Sequence, residues 1–371
     1  MKLNLSIEPI ASWLPSGNSP LIISGPCSAE TEEQVLATAR AIAATNLSAV
    51  FRAGIWKPRT RPNSFEGVGN VGLKWLRRVR EEIGLFTATE VANAYHVEEC
   101  LKNGVDILWI GARTTVNPFS VQEIADALKG VDIPVFVKNP IHPDLQLWIG
   151  ALERINRAGI NKLAAIHRGF HSYEEKNYRN VPNWELVIEL KMLCPGLPVI
   201  CDPSHICGKT SLLPVVAQKA MDMDMDGLMI ETHYLPESAL SDANQQITPH
   251  ALSKLISGLI IRDATSENPL FKNKLESLRS RIDETDQEIL FALSRRMTIV
   301  KQIGEYKKEN NVTILQLERW KEILKNQLAT ADKTGLNKAF VKNIYLLVHK
   351  ESMRMQTEIM NKNEQDQLEI M

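Results

Sequence analysis

No apolar run in this chain approaches the ~20 residues that cross a bilayer. Nor is there an excess of charge: 43 Lys and Arg against 44 Asp and Glu give a formal net charge of −1. The first absence argues against a membrane protein, and the second against recruitment of nucleic acid or an anionic membrane by an overall field. Cysteine is sparse, five residues in all, odd in number and irregular in spacing. That argues against a disulfide framework and for a reducing, cytoplasmic setting. The opening segment MKLNLSIEPIASWLPSG has one lysine and no long apolar centre, so it does not read as a secretory signal. No G-x-G-x-x-G turn follows the first apolar run, which removes the main dinucleotide signature.

What is present is a chain of 371 residues, 44% hydrophobic and 23% charged, long enough for one large domain and one small one. Short apolar runs at 21–24, 49–51, 85–88, 107–110, 134–137, 163–166, 199–201 and 228–230 alternate with amphipathic segments such as 32–44, 74–83, 121–128 and 184–193. Eight such units predict an α/β fold, a (β/α)₈ TIM barrel rather than an open doubly wound sheet. The texture changes after Ile261. Residues 262–269, RDATSENP, read as a polar linker ending in proline. Residues 270–310 then carry Leu275, Leu278, Ile282, Ile289, Leu293, Val300 and Ile303 at helical spacing. A helix that long spans ~60 Å, and one small domain cannot bury its stripe. With further helices at 317–330 and 336–363, the pattern predicts an all-α module that dimerises. The expected organisation is a barrel over 1–261, a linker over 262–269 and a helical domain over 270–371.

Catalytic groups of such barrels sit just after the strand C-termini. Arg52 ends the second run, and Lys57, Arg59 and Arg61 follow it, so four cations fall within ten residues, stiffened by Pro58 and Pro62. A solvated basic loop and an anion-binding loop both fit that stretch taken alone. Arg113, Lys138 and Arg168 occupy equivalent positions after the fourth, fifth and sixth runs. Arg52, Lys57, Arg113, Lys138 and Arg168 together would neutralise a small trianion bearing carboxylate and phosphate. Cys27, His205, Glu231 and Asp242 follow the first, seventh and eighth runs, which meet when a barrel closes. Thiolate, imidazole and two carboxylates suit a divalent transition ion, with Mn, Fe, Co and Zn all open.

The motifs GPCSAET, FRAGIWKPRT, WIGARTT, FVKNP, HRGF, DPSH and the late ETH followed by SD make residues 20–261 resemble the short, core-only type of 3-deoxy-D-arabino-heptulosonate 7-phosphate (DAHP) synthase. The resemblance implies condensation of phosphoenolpyruvate with erythrose 4-phosphate, the opening step of the shikimate pathway. It implies that Arg52, Lys57, Arg113, Lys138 and Arg168 hold phosphoenolpyruvate, with Lys57 also assisting proton movement. Arg59 and Thr60 would hold the sugar phosphate. Cys27, His205, Glu231 and Asp242 would ligate the metal, Mn²⁺ in first place, with Fe²⁺, Co²⁺ or Zn²⁺ as alternatives. A related synthase uses arabinose 5-phosphate and resembles a KANRS-type loop where this chain has Lys57-Pro58-Arg59-Thr60. The Pro-Arg-Thr form favours the four-carbon sugar.

In the helical region, Arg296 and Lys307 lie eleven residues apart and share a face. Arg279 is rotated about a quarter turn away, so in an antiparallel dimer it would reach the partner's pocket. Exposed charges on a solvated helix are the alternative. Residues 268–358, with LESLRSRIDETDQEIL, RRM, IGEYKK, ERW and ESMRMQ, resemble the all-helical chorismate mutases. Arg279, Arg296, Lys307, Arg319 and Gln356 fall on matching positions, as do Ser352 and Asp286. The implied reaction is chorismate to prephenate, with arginines clamping carboxylates and Lys307 and Gln356 donating to the ether oxygen. Gln316 and Trp320 stand where related mutases carry acidic residues for the substrate hydroxyl. That departure keeps two other readings open, a regulatory binding module and an isochorismate pyruvate lyase. Residues 1–19 are too few for a sensor domain, so prephenate bound at the mutase pocket is the expected feedback inhibitor of the synthase.

Overall fold

The computed structural model describes residues 4–14, 20–47, 49–57, 65–173, 177–263 and 265–368. The chain divides into two compact units, Met1–Ala264 and Thr265–Met371.

In the first unit the strands are β1 (Leu21–Gly25), β2 (Val50–Arg52), β3 (Phe86–Val91), β4 (Ile107–Ile110), β5 (Val135–Lys138), β6 (Leu163–His167), β7 (Val199–Cys201) and β8 (Gly227–Glu231). Between and after them run α1 (Glu32–Ala43), α2 (Val71–Arg78), α3 (Ala94–Lys102), α4 (Ala112–Thr115), α5 (Pro118–Ala127), α6 (Leu145–Arg157), α7 (Trp184–Leu193), α8 (Pro203–Cys207), α9 (Leu213–Asp222) and α10 (Pro249–Ser257). Each strand pairs in parallel with the next, and β8 closes on β1, giving the expected eight-stranded barrel. The third strand runs past the expected 85–88 to Val91, because Glu90 and Val91 continue the ladder against Trp109 and Ile110.

Buried faces on both sides explain why the strands read as continuous apolar runs. Alternate side chains divide between two layers. Leu21, Ile23, Val50, Ala88, Ile107, Trp109, Phe136, Ala164, Ile166, Ile200 and Met229 fill the barrel. Ile22, Phe51, Leu108, Val135, Val137, Ala165 and Val199 pack outward with the helices. Burial of each Val, Leu, Ile, Phe or Met among them stabilises by about 1.5–3 kcal/mol. Leu14 joins the inner layer, and the Trp13 ring lies 6.0 Å from Phe136, beside the residues where the strands begin. Chemistry is thereby left to the opposite end. There the β1–β8 register sets Gly25 across from Glu231. Gly25 has φ +147°, and a Cβ on it would lie 2.1 Å from the carbonyl oxygen of Arg52. Only glycine lets the ends of β1 and β2 approach so closely.

The second unit consists of α11 (Pro269–Glu309), α12 (Leu317–Thr334) and α13 (Lys338–Leu368). Asn268 caps α11 by accepting from the backbone N–H groups of Leu270 and Phe271. α13 packs along α11 and α12. Of the apolar stripe on α11, Val300 is buried, whereas Leu278, Ile282, Ile289 and Ile303 are exposed in the single chain.

Candidate active sites

At the C-terminal ends of the barrel strands, the closure of β8 on β1 brings Cys27 beside Glu231 and Asp242. Ligand atoms of these three residues all lie within 4.8 Å of one another. His205, carried on the short helix α8, joins through Glu231, with Nε2 3.7 Å from Oε1. Its Nδ1 lies 2.8 Å from Asp202 Oδ2. Burial pushes the His205 imidazole below its ordinary range despite that carboxylate. Burial, with Glu231 close by, raises the Cys27 thiol to about 11. Among the described residues, Glu231 Oε1 is buried without a hydrogen-bond partner. A mixed donor set that includes a carboxylate oxygen with no hydrogen bond among the described residues fits a divalent transition ion.

The expected cations surround this cluster. Arg52 is buried, donating to the Cys27 carbonyl at 3.1 Å, with Nη1 3.4 Å from Glu231 Oε1. Its guanidinium lies 4.9 Å from the centre of the Trp109 ring. Lys57 Nζ donates to the Cys27 carbonyl at 2.7 Å and to Sγ at 3.1 Å. Lys138 is buried and paired with Asp202 at 2.9 Å. Burial opposes the charge on Asp202, but His205 and Lys138 hold its carboxyl well below the usual range. Arg168 donates to Asn180 Oδ1 at 2.7 Å. Burial, and the like charges of Arg179 and Arg113, push Arg168 down to about 10.

A cavity of about 360 Å³ joins Lys57, Glu90, Arg113, Arg168, Arg179, Asn180, His205 and Asp242. A larger groove of about 970 Å³ lies between α9 and α10, lined by apolar residues such as Leu213, Val215 and Leu255. Charge rather than volume marks the reactive site. Arg59 and Thr60 lie outside the described residues. Sequence reasoning missed Glu90 and Arg179. Glu90 accepts from Trp109 Nε1 at 2.9 Å and was missed because β3 outlasts its apolar run. Arg179 sits in the irregular segment between β6 and α7, where no periodicity points to it.

In the helical unit, Arg296 Nη1 donates to Ser352 Oγ at 2.6 Å. Lys307 Nζ donates to the Ile314 carbonyl at 2.6 Å and lines a cavity of about 650 Å³ with Gln316. Gln356 is buried, and its Oε1 has no hydrogen-bond partner among the described residues. Gly304 permits this approach of α11 to α13, since a Cβ there would lie 2.9 Å from Ile359 Cδ1 and 3.2 Å from Gln356 Cγ. Arg279 and Arg319 are not drawn into this group. Each is exposed and pairs on its own helix, with Glu276 at 2.7 Å and Glu322 at 2.6 Å. Trp320 stacks on His349 with ring centres 4.0 Å apart.

Family models match residues in both units. A family model described as "DAHP synthetase I family" matches residues 13–261. Another, "Chorismate mutase type II", matches residues 278–357. The "Phospho-2-dehydro-3-deoxyheptonate aldolase" of Thermotoga maritima is 30% identical over 235 residues, covering 63% of this chain and 67% of that protein. A "2-dehydro-3-deoxyphosphooctonate aldolase" of Nitratidesulfovibrio vulgaris is 28% identical over 254 residues, covering 60% of this chain and 84% of that protein. The crystal structure of the Thermotoga maritima DAHP synthase has a TM-score of 0.58 at 29% identity, covering 64% of this chain and 67% of that one.

Proposed function

The chain belongs to the DAHP synthetase I family, and on that footing we propose how its own residues carry out two reactions. The barrel condenses phosphoenolpyruvate with erythrose 4-phosphate to 3-deoxy-D-arabino-heptulosonate 7-phosphate, and the helical unit rearranges chorismate to prephenate. The observation that carries the first assignment is the placement of buried cations around the Cys27, Glu231 and Asp242 cluster. Arg52, Lys57, Arg113, Lys138 and Arg168 hold the carboxylate and phosphate of phosphoenolpyruvate. Arg59 and Thr60 hold the sugar phosphate. Cys27, His205, Glu231 and Asp242 would hold the divalent ion, Mn²⁺ before Fe²⁺, Co²⁺ or Zn²⁺, which supplies Lewis acidity to the aldehyde oxygen.

The enol carbon attacks the aldehyde carbon and forms the carbon–carbon bond. Water adds to the oxocarbenium centre and phosphate leaves. Lys57, 3.1 Å from Cys27 Sγ, passes a proton to the aldehyde oxygen. Condensation with arabinose 5-phosphate is a second reading, favoured by the octonate relatives, and an assay offering both aldose phosphates separates the two.

For chorismate, Arg296 and Ser352 bind the substrate, Arg319 joins them on leaving its surface pair with Glu322, and Lys307 and Gln356 donate to the ether oxygen. Each preorganised donor is worth about 3–4 kcal/mol as negative charge develops there. The exposed apolar stripe of α11 supports a homodimer through the helical unit. In that dimer Arg279 of the partner subunit completes the pocket. Prephenate at this pocket inhibits the synthase, and by linkage synthase ligands shift prephenate affinity in return. The protein works in the cytoplasm. Arg296→Ala should abolish prephenate formation, and equal activity in wild type and variant would remove the mutase assignment. Synthase kinetics unchanged at saturating prephenate would remove the inhibition.

A further inference from the structure

Gln245 is 1% exposed and closes the tight turn Ala243–Gln245 that follows Asp242. Its amide makes two side-chain bonds. Nε2 donates to Glu231 Oε2 at 2.6 Å, and Oε1 accepts from Arg179 Nη1 at 2.7 Å. The same Arg179 nitrogen donates to Asp242 Oδ1 at 3.0 Å. A guanidinium only donates, so the amide oxygen faces Arg179 and the amide NH₂ faces Glu231. The orientation of Gln245 is therefore fixed rather than free.

Two consequences follow for the carboxylates. Oε2 of Glu231 is engaged, and Oε1, which among the described residues accepts no hydrogen bond though Arg52 Nη1 lies 3.4 Å away, is the oxygen left to face a metal ion. Through Arg179 the same chain reaches Asp242, a second member of the cluster. The neighbouring Gln246 steadies the third: its Oε1 accepts from Cys27 N at 3.0 Å, and its Nε2 donates to the Ser241 carbonyl at 2.8 Å.

We infer that Gln245 is a positioning residue of the metal centre. It sets which oxygen of Glu231 meets the ion and couples that choice to Asp242. The inference rests on the metal reading given above. Outer partners of ligating carboxylates fix orientation, and their loss typically weakens metal binding by roughly 10–100-fold.

Gln245→Met preserves side-chain length and removes both bonds. Co²⁺ is titrated into the metal-stripped full-length chain and followed by thiolate-to-cobalt absorption, with thermal unfolding measured alongside. The expected result is a dissociation constant raised roughly 10–100-fold, with kcat restored by saturating metal. A packing role alone would lower the unfolding temperature and leave the dissociation constant within twofold of wild type, which overturns the inference. Should Gln245→Met fail to fold, Gln245→Asn, too short to bridge Arg179 and Glu231, is read by the same criterion. A wild-type chain that binds no cobalt overturns the metal reading itself. Equal binding by wild type and variant overturns only the part assigned to Gln245.

Discussion

Asp202 Oδ2 lies 2.9 Å from Lys138 Nζ, and both groups are buried. The same oxygen is 2.8 Å from His205 Nδ1, while Oδ1 accepts from the His205 backbone N–H at 3.1 Å and so caps α8. One carboxylate thus joins a proposed substrate cation, a proposed metal ligand and a helix start. Breaking a buried ion pair by removing one charge costs about 3–5 kcal/mol. Asp202→Asn should lower unfolding stability by about that amount and raise KM for phosphoenolpyruvate. Chemical denaturation together with steady-state kinetics checks both, and an unchanged KM would separate Lys138 from substrate.

His167 gives the barrel a defined acid sensitivity. Burial, with Arg168 close by, pushes its imidazole down to about 3. The unfolded chain takes up this proton near 6.5 and the folded chain does not. Its contribution is therefore fully present above about 6.5 and is lost progressively as pH falls toward 3. The slope from this one group reaches at most about 1.4 kcal/mol per pH unit. Phenylalanine at 167, beside Phe170 and Trp184, should flatten the stability profile between pH 6 and 4. Identical slopes in His167→Phe and wild type would show that His167 does not titrate on unfolding.

Much of this was legible in the chain because parallel strands buried on both faces leave unbroken apolar runs. Residues just beyond those runs, such as Cys27, Arg52, Lys138 and Arg168, could be placed at the strand ends without a structure. Glu90 could not, because a charged residue inside a strand looks like its end until the β3–β4 register is seen. Arg179 and Gln245 belong to irregular segments, whose partners are set by tertiary approach rather than by periodicity. The link from Asp202 to Lys138 spans 64 residues, a separation that no local pattern encodes. In the helical unit the stripe on α11 was readable. So was its exposure in a single chain, since one small domain cannot bury a stripe that long, whereas the separate surface pairings of Arg279 and Arg319 were not.

If Lys307 donates to the ether oxygen as proposed, it gives the mutase a pH dependence. Burial lowers its ammonium from the ordinary lysine value. The charged donor is present at low pH and is lost as pH rises through that lowered value. The rate of chorismate consumption should therefore decline in the alkaline range earlier than an unperturbed lysine predicts. Lys307→Met should reduce kcat by roughly 10²–10³, the usual effect of removing one such donor. A variant that keeps the wild-type rate and pH profile would exclude Lys307 from the reaction.

Lys57→Met tests the proton role in the barrel. Its Nζ lies 2.7 Å from the Cys27 carbonyl oxygen, so the substitution also removes a tether of that segment. Metal affinity measured alongside kcat separates the two effects. The expected outcome is a kcat loss on the order of 10²–10⁴, the range of general acid–base assistance, that excess metal does not restore. Recovery of kcat on adding metal would assign Lys57 to holding the site instead.

Phosphate release from phosphoenolpyruvate by the purified chain bears most directly on the barrel. It is measured with erythrose 4-phosphate and with arabinose 5-phosphate, before and after chelation. Release should require erythrose 4-phosphate, vanish with chelator and return on adding Mn²⁺. Turnover undiminished in the chelated protein, or equal turnover with the five-carbon sugar, would contradict a metal-dependent DAHP synthase built on Cys27, His205, Glu231 and Asp242.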